Sequence, residues 1–111
     1  MILQKGEKVH IIHQRHFEKD PHRHFLGVVD NYENGIARVT GHIFTVDSVK
    51  FVFFRRPEPR TRIVSLHSGE LINVLPPTVV LEKVIYKQDK KFVRITDESG
   101  WHMDISDFAW K

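Results

Sequence analysis

The sequence predicts an all-β fold, a small and strongly bent barrel followed by a C-terminal β-hairpin. Short apolar runs alternate with turn residues every eight to twelve positions, a spacing that is typical of barrels and sandwiches. The longest such unit, 24–47, contains an Asn-Gly turn and one glycine in the middle of each strand, Gly27 and Gly41. Mid-strand glycines indicate a bend or two closely packed backbones, which a short sheet needs in order to curl.

The central hairpin fixes the predicted register. Asn34 and Gly35 both tolerate the positive φ of a two-residue turn, so we place them at its centre. Glu33 then lies opposite Ile36, and Gly27 lies opposite His42.

About eight short strands follow from the pattern, in one domain covering residues 1–111. Residues 6–76 would form the barrel, and 77–111 would add a hairpin and an aromatic tail. Proline cannot donate to a ladder, so the segment 55–62, which contains two prolines, is expected to be a loop or a strand edge. In chain order, the strands are expected within 6–17 and at 24–31, 36–47, 49–54, 63–66, 71–75, 79–86 and 92–97, before a last short element with Trp101.

The composition excludes several function classes. Without cysteine, the chain has no disulfide, no thiol nucleophile and no cysteine-based zinc site. We find no secretory signal pattern, and the longest uncharged stretch, Leu71 to Leu81, is 11 residues and too short to span a bilayer. We therefore expect a cytoplasmic protein with no membrane partner. The net charge of +3 permits nucleic acid as a partner without requiring it.

Histidines are concentrated near the N-terminus, where five of the eight fall within residues 10–24. His22 and His24 share a predicted strand face, and such a pair can chelate a metal. Only Asp20 and Asp30 offer further ligands. We therefore expect polar or stacking histidines and no metal or other cofactor, with His22 and His24 as the nearest approach to a metal pair.

A second group of polar residues lies near the C-terminus, at Glu98, His102, Asp104 and Asp107. No nucleophile elbow, glycine-rich phosphate loop or paired-carboxylate motif accompanies them. We expect surface side chains there, no catalytic residues and no enzymatic activity.

Arginines form the third group, at Arg55, Arg56, Arg60 and Arg62, within eight residues of one another. Guanidinium groups suit phosphate, so these arginines are the predicted nucleic-acid contacts. The neighbouring Phe51, Phe53 and Phe54 are expected in the core.

Exposed apolar surface predicts self-association. The stretch 49–54 is a long apolar edge that a monomer would have to cover, so we expect a homo-oligomer. The aromatic residues Trp101, Phe108 and Trp110 would pack over the barrel or against a neighbouring subunit.

The order of these elements resembles the Sm-like fold, a bent five-stranded barrel that assembles into rings and binds RNA. The resemblance covers residues 6–76. Residues 6–9 correspond to the opening of the family's first strand, residues 25–29 to its bent second strand, and residues 36–46 to its third strand. The strands 63–66 and 71–75, joined by 67–70, are similar to the family's fourth and fifth strands. The resemblance implies that the protein is an oligomer, with a ring as one form, and that it binds RNA or single-stranded DNA.

Two departures accompany the resemblance. The family's Asp-x-x-Met-Asn signature after the second strand is replaced by DNYENG, in which Tyr32 and Asn34 remain as candidate base contacts. The family's Arg-Gly turn is replaced by His67-Ser68-Gly69. An SH3-like barrel stays open as an alternative fold, and an assembly module that binds only protein stays open as an alternative function.

Overall fold

A computed structural model describes residues 2–13, 23–47, 52–67, 70–89 and 92–105, and all strand pairs in these ranges are antiparallel. The all-β prediction is confirmed. Several predicted features fall outside the described residues, namely His16, Asp20, His22, Phe51, Asp107, Phe108, Trp110 and the turn at Ser68-Gly69. The strands are β1 (Lys8–Ile12), β2 (Arg23–Glu33), β3 (Ile36–Asp47), β4 (Val52–Arg55), β5 (Arg60–Ser65), β6 (Leu71–Leu75), β7 (Ile85–Asp89), β8 (Phe92–Thr96) and β9 (His102–Asp104).

The first sheet is built on β3, which pairs with β2 along one edge and with two shorter strands along the other. Its N-terminal half pairs with β5 and its C-terminal half with β4. On the far side of β2 come β1 and then β6, which gives the order β5–β3–β2–β1–β6. In the part of the chain that is described, β5 and β6 do not pair, so the closure of a barrel is not found. A second sheet has the order β7–β8–β9.

The central hairpin has the predicted turn but a different register. Asn34 and Gly35 have φ values of 49° and 80°, as a type I′ turn requires, and Glu33 lies opposite Ile36. A bulge between Val29 and Asn31 then shifts the pairing by one residue. Gly27 therefore lies opposite Gly41, and the predicted pairing of Gly27 with His42 is wrong. The extra residue, Asp30, accepts a hydrogen bond from the Thr40 hydroxyl.

The two facing glycines allow β2 and β3 to approach closer than any side chain permits. A Cβ atom on Gly41 would lie 1.9 Å from the carbonyl oxygen of Leu26 and 2.5 Å from the Cα of Gly27. A Cβ atom on Gly27 would lie 2.4 Å from the carbonyl oxygen of Thr40. The close approach predicted from the glycines is confirmed.

Both faces of the first sheet are covered, because alternate residues of its strands contribute to two apolar clusters. Val9 and Ile11 of β1 point to one side, while His10 between them points to the other. The first cluster contains Leu3, Val9, Ile11, Phe25, Val29, Ala37, Val39 and Val64. The second cluster joins the two sheets through Leu26, Phe44, Leu75, Val79, Val84, Val93, Ile95 and Ile105.

Two predicted segment boundaries are wrong. The strand expected at 63–66 begins at Arg60, so Arg60 and Arg62 lie on the edge strand β5, which agrees with the strand-edge alternative for 55–62 and not with the loop. The strand expected at 79–86 begins only at Ile85, after a 3-10 turn at Leu81–Lys83. The polar contacts that hold this turn come from residues distant in sequence, and they override the local β-propensity.

Those contacts are made by Asp97 and Arg55. The Asp97 carboxylate accepts a hydrogen bond from the Val80 N–H at 2.9 Å. The Arg55 guanidinium donates to the carbonyl oxygens of Leu81 (2.6 Å), Glu82 (2.9 Å) and Val84 (3.3 Å). These hydrogen bonds hold the segment in the 3-10 conformation.

Candidate functional site

Three arginines surround one cleft of about 440 Å³ on the first sheet. Arg56 and Arg60 are among the predicted contacts, whereas Arg23, at the start of β2, was not predicted. Ile43 and Thr45 of β3 and the loop residues Pro57 and Glu58 complete the lining. The cleft is therefore basic at its rim, with apolar surface supplied by Ile43 and Pro57.

Backbone hydrogen bonds fix the positions of these arginines. Arg23 lies opposite Thr45 in the β2–β3 ladder, and Arg60 lies opposite Gly41 in the β3–β5 ladder. The Arg56 N–H donates to the Ile43 carbonyl at 2.8 Å, which anchors the start of the loop 56–59 to the same strand. The start of β2, the loop 56–59 and the start of β5 thus bring three arginines to the C-terminal half of β3.

The charges around the cleft do not balance. Three guanidinium groups face one carboxylate, that of Glu58, which lies 3.1 Å from Arg60. Both side chains of this ion pair are more than half exposed, at 56% and 73%, and an exposed pair contributes little to stability. Arg60 can therefore exchange Glu58 for another anion at small cost. Arg56 is exposed and lies over the Phe54 ring, with its guanidinium carbon 5.9 Å from the ring centroid.

The other two predicted arginines do not line this cleft. Arg55 is half-buried, stacks on Phe44 at 5.3 Å and donates to the carbonyls of the 3-10 turn. Those hydrogen bonds occupy part of its five N–H donors and hold the guanidinium at the 3-10 turn, away from the arginines that line the cleft. Arg62 is half-buried and lies over the buried Phe25 ring at 5.8 Å.

The predicted base contacts Tyr32 and Asn34 lie at the other end of β3. Five residues separate Ile36, next to the turn, from Gly41, which lies opposite Arg60, and this distance is about 17 Å along a strand. Asn34 is exposed and lines a smaller cleft of about 250 Å³ with Arg38. Tyr32 is half-buried against the first apolar cluster, so its ring serves packing.

The described part of the histidine-rich stretch forms a buried polar network between the sheets. His10 Nε2 lies 3.0 Å from His24 Nδ1, and the Tyr86 hydroxyl lies 2.8 Å from His24 Nδ1 and 3.2 Å from His10 Nε2. The Asn73 side-chain amide contacts His10 Nδ1 at 3.3 Å. Burial lowers the pKa of His10 to about 4 and raises the pKa of Tyr86 well above its usual value. Both side chains are therefore neutral at pH 7.

The sequence did not predict this network. His10 and His24 lie on neighbouring strands and are diagonal neighbours, because His10 pairs with Leu26. Tyr86 is 62 residues from His24 and reaches it only because the second sheet packs there. His13, further along the chain, pairs instead with Glu70 at 3.1 Å.

The C-terminal polar group is spread over the second sheet. Glu98 forms an ion pair with Lys87 at 2.9 Å, and His102 and Asp104 are exposed on β9. Trp101 packs against the second apolar cluster. Among the described residues, no three His, Cys, Asp or Glu side chains are grouped as metal ligands. In the same ranges, no helix has the length and apolar character that a membrane span requires.

Comparison with protein-family models, curated proteins and solved structures finds no match for this chain. The chemistry of the residues themselves therefore carries the functional argument.

Proposed function

We propose that the chain is a non-enzymatic binding module whose arginine cleft holds phosphate groups of RNA or single-stranded DNA. The observation that supports this proposal is the grouping of Arg23, Arg56 and Arg60 from three separate segments around one cleft. Guanidinium groups donate paired hydrogen bonds to phosphate oxygens, and backbone hydrogen bonds place Arg23, Arg56 and Arg60 around one cleft. The apolar surface of Ile43 and Pro57 suits a sugar or a base beside the phosphate.

We further propose that residues 6–76 form an Sm-like or SH3-like unit. The five segments on which the Sm-like resemblance rests are neighbours in a single sheet, in the order β5–β3–β2–β1–β6. The facing glycines of β2 and β3 provide the close backbone approach that a strongly bent hairpin needs.

A charge-reversal experiment tests the binding proposal. Arg23→Glu combined with Arg60→Glu places repulsive charges at two sides of the cleft, so affinity for a labelled single-stranded RNA should fall at least about tenfold, as measured by fluorescence anisotropy. The log–log salt dependence should become shallower by about 0.7 for each lost phosphate contact.

Arg38→Glu is the matched control. It makes the same change of charge as either single variant, Arg23→Glu or Arg60→Glu, but on exposed β3 surface at the other end of the strand, next to the smaller cleft, and it is compared with those single variants. Binding that falls equally in Arg38→Glu would indicate general charge attraction rather than a site. A double variant that binds RNA as well as the parent would exclude the cleft as the site.

A second function, assembly through protein contacts alone, is favoured by the edges of the first sheet. Within the described residues, β5 and β6 each pair on one side only. Their exposed apolar side chains include Ile63, 64% exposed, and Val74, 51% exposed. Such edges pair readily with another strand, so we propose a homo-oligomer, a ring being one form.

Light scattering distinguishes these proposals. A monomer mass of 13.1 kDa at micromolar concentration would exclude the oligomer. An oligomer that binds neither RNA nor single-stranded DNA at low salt would favour assembly as the function.

A further inference from the structure

We propose that Phe54 stacks on a nucleobase while the neighbouring arginine cleft holds the phosphate of the same nucleotide, so that the site takes an unpaired base. This inference rests on the nucleic-acid binding proposed above and adds the residue that contacts the base. Phe54 was expected in the core, but its side chain on β4 is 44% exposed. Within the described ranges, it is the one aromatic residue among the exposed large apolar side chains.

The strand register places Phe54 beside the cleft. Phe54 lies opposite Thr45 in the β3–β4 ladder, and Thr45 lies opposite Arg23 in the β2–β3 ladder. Directly opposed residues of antiparallel strands point to the same face of a sheet, with Cβ atoms about 5 Å apart. Because Thr45 and Arg23 line the cleft, the row of three side chains runs from the cleft to Phe54 on one face of the first sheet.

The order of side chains in this row matches the order of parts in a nucleotide. Arg23 at one end can donate to phosphate oxygens, and the Phe54 ring at the other end offers a flat surface to a base. Thr45 between them has a short side chain, which leaves room for the sugar. The cleft volume of about 440 Å³ is within the range of about 300–1,000 Å³ that is usual for small-ligand sites.

The contact between Arg56 and Phe54 is compatible with stacking. The Arg56 guanidinium carbon lies 5.9 Å from the ring centroid, close to the limit of about 6 Å for a cation–π contact. A contact of this length on the surface is weak, and the Phe54 side chain stays exposed with Arg56 in place. A base can therefore stack on the ring while the Arg56 guanidinium remains available to a phosphate.

The charges around the ring favour a nucleotide over an apolar protein surface. Arg56 lies over the ring, and Arg23 lies in the same row. An apolar partner that covered Phe54 would also remove guanidinium groups from water, which is costly without a paired anion. A nucleotide supplies that anion together with the flat apolar surface of its base.

The test compares a labelled single-stranded RNA with an abasic ribose-phosphate chain of the same length, by fluorescence anisotropy. The parent should bind the RNA about 5 to 100 times more tightly, as expected when a base stacks on an aromatic side chain. This measurement needs no variant. Phe54→Ala should lose a similar factor in affinity for the RNA and none for the abasic chain. The salt dependence of RNA binding should stay that of the parent, because no phosphate contact is lost.

Three control variants separate stacking from other effects of the side chain. Phe54→Trp keeps a flat aromatic surface and should bind the RNA at least as tightly as the parent. Phe54→Leu keeps an apolar side chain without that surface and should bind as weakly as Phe54→Ala. Ile63→Ala removes an exposed apolar side chain from β5, on the sheet face opposite to Arg60, and should leave binding unchanged.

The outcomes distinguish this inference from the proposed function. RNA binding that falls in Arg23→Glu with Arg60→Glu but not in Phe54→Ala would overturn the stacking and leave the arginine cleft as the site. Equal losses for the RNA and the abasic chain in Phe54→Ala would overturn the stacking too. So would a lower mass of Phe54→Ala in light scattering, because the ring would then contact another subunit. A parent protein that binds neither probe would overturn both proposals.

Discussion

Gly41→Ala is the substitution for which the structure predicts the clearest effect. The new Cβ atom would lie 1.9 Å from the Leu26 carbonyl oxygen and 2.5 Å from the Gly27 Cα. An ordinary contact of this kind exceeds about 3.2 Å, so the two strands must separate by more than about 1 Å. Both neighbours are backbone atoms in the middle of the β2–β3 ladder, so no side-chain rotation can relieve the clash.

The size of the destabilisation by Gly41→Ala follows from two opposing contributions to the free energy of unfolding. Overpacking in a core costs about 1–3 kcal/mol and more where the site cannot relax, and this site is held by ladder pairs on both sides. Replacing glycine by alanine also restricts the unfolded chain, which offsets about 0.4–1 kcal/mol. We expect a net loss of about 2–3 kcal/mol in the free energy of unfolding, or a melting temperature lower by about 10 °C for a chain of this length.

Urea denaturation of the parent, Gly41→Ala and Gly6→Ala measures this effect. Gly6 has a φ of +92° but no atom within 4 Å of a built Cβ, so alanine there costs only backbone strain, about 1 kcal/mol. The loss at Gly41 should clearly exceed the loss at Gly6. A Gly41→Ala variant that unfolds at the same urea concentration as the parent would refute the close approach of the two backbones.

Three further predictions concern the polar contacts and the turn. Arg55→Leu removes the hydrogen bonds to the 3-10 turn and should lower the free energy of urea unfolding by about 2 kcal/mol; an unchanged midpoint would contradict the role given to Arg55. Hydrogen bonds from Ser99 and Val80 lower the pKa of Asp97 to about 2, below the value of about 3.9 expected in the unfolded chain. The stability that Asp97 confers is therefore present above pH 4 and lost as the pH falls toward 2, and Asp97→Asn should flatten the pH dependence of urea unfolding in that range. Asn34→Ala forces alanine to a φ of 49° and should lower the free energy of unfolding by about 1 kcal/mol. Asn34→Gly meets no such strain, so the loss measured in the same urea assay should be smaller.

The sequence predicted the parts of the fold that depend on neighbouring residues. The Asn34-Gly35 turn follows from the positive φ that those two residue types accept. The contact of two backbones follows from the mid-strand glycines. The bulge at Asp30 could not be predicted in this way, because it depends on a hydrogen bond to Thr40 on the facing strand.

The 3-10 turn shows the same limit of local reasoning. Residues 79–86 have the apolar and β-branched composition of a strand. Their conformation is determined by Asp97 and Arg55, which lie 17 and 26 residues from their hydrogen-bond partners Val80 and Leu81. The residue pattern within 79–86 therefore cannot indicate that these two distant residues bind the segment.

The candidate sites were predicted only in part for a related reason. Arg56 and Arg60 are close in sequence, and that proximity identified them. Arg23 reaches the same cleft because β2 pairs with β3, and Tyr86 reaches the histidines because the second sheet packs on the first. His22 and His24 share a predicted face, but His24 contacts His10 on the adjacent strand and Tyr86 of the second sheet.

The attachment of the loop 56–59 has a consequence for how this protein can diversify. The loop leaves the sheet where the Arg56 N–H bonds the Ile43 carbonyl and returns where Arg60 pairs with Gly41, two residues away on the same strand. Its two ends are therefore fixed beside each other whatever the length of chain between them, and lengthening such a loop costs little closure entropy. Insertions between Pro57 and Pro59 would reshape one wall of the arginine cleft and leave the ladder intact. Evolution, or a designed library, can thus vary the shape of the cleft there separately from folding.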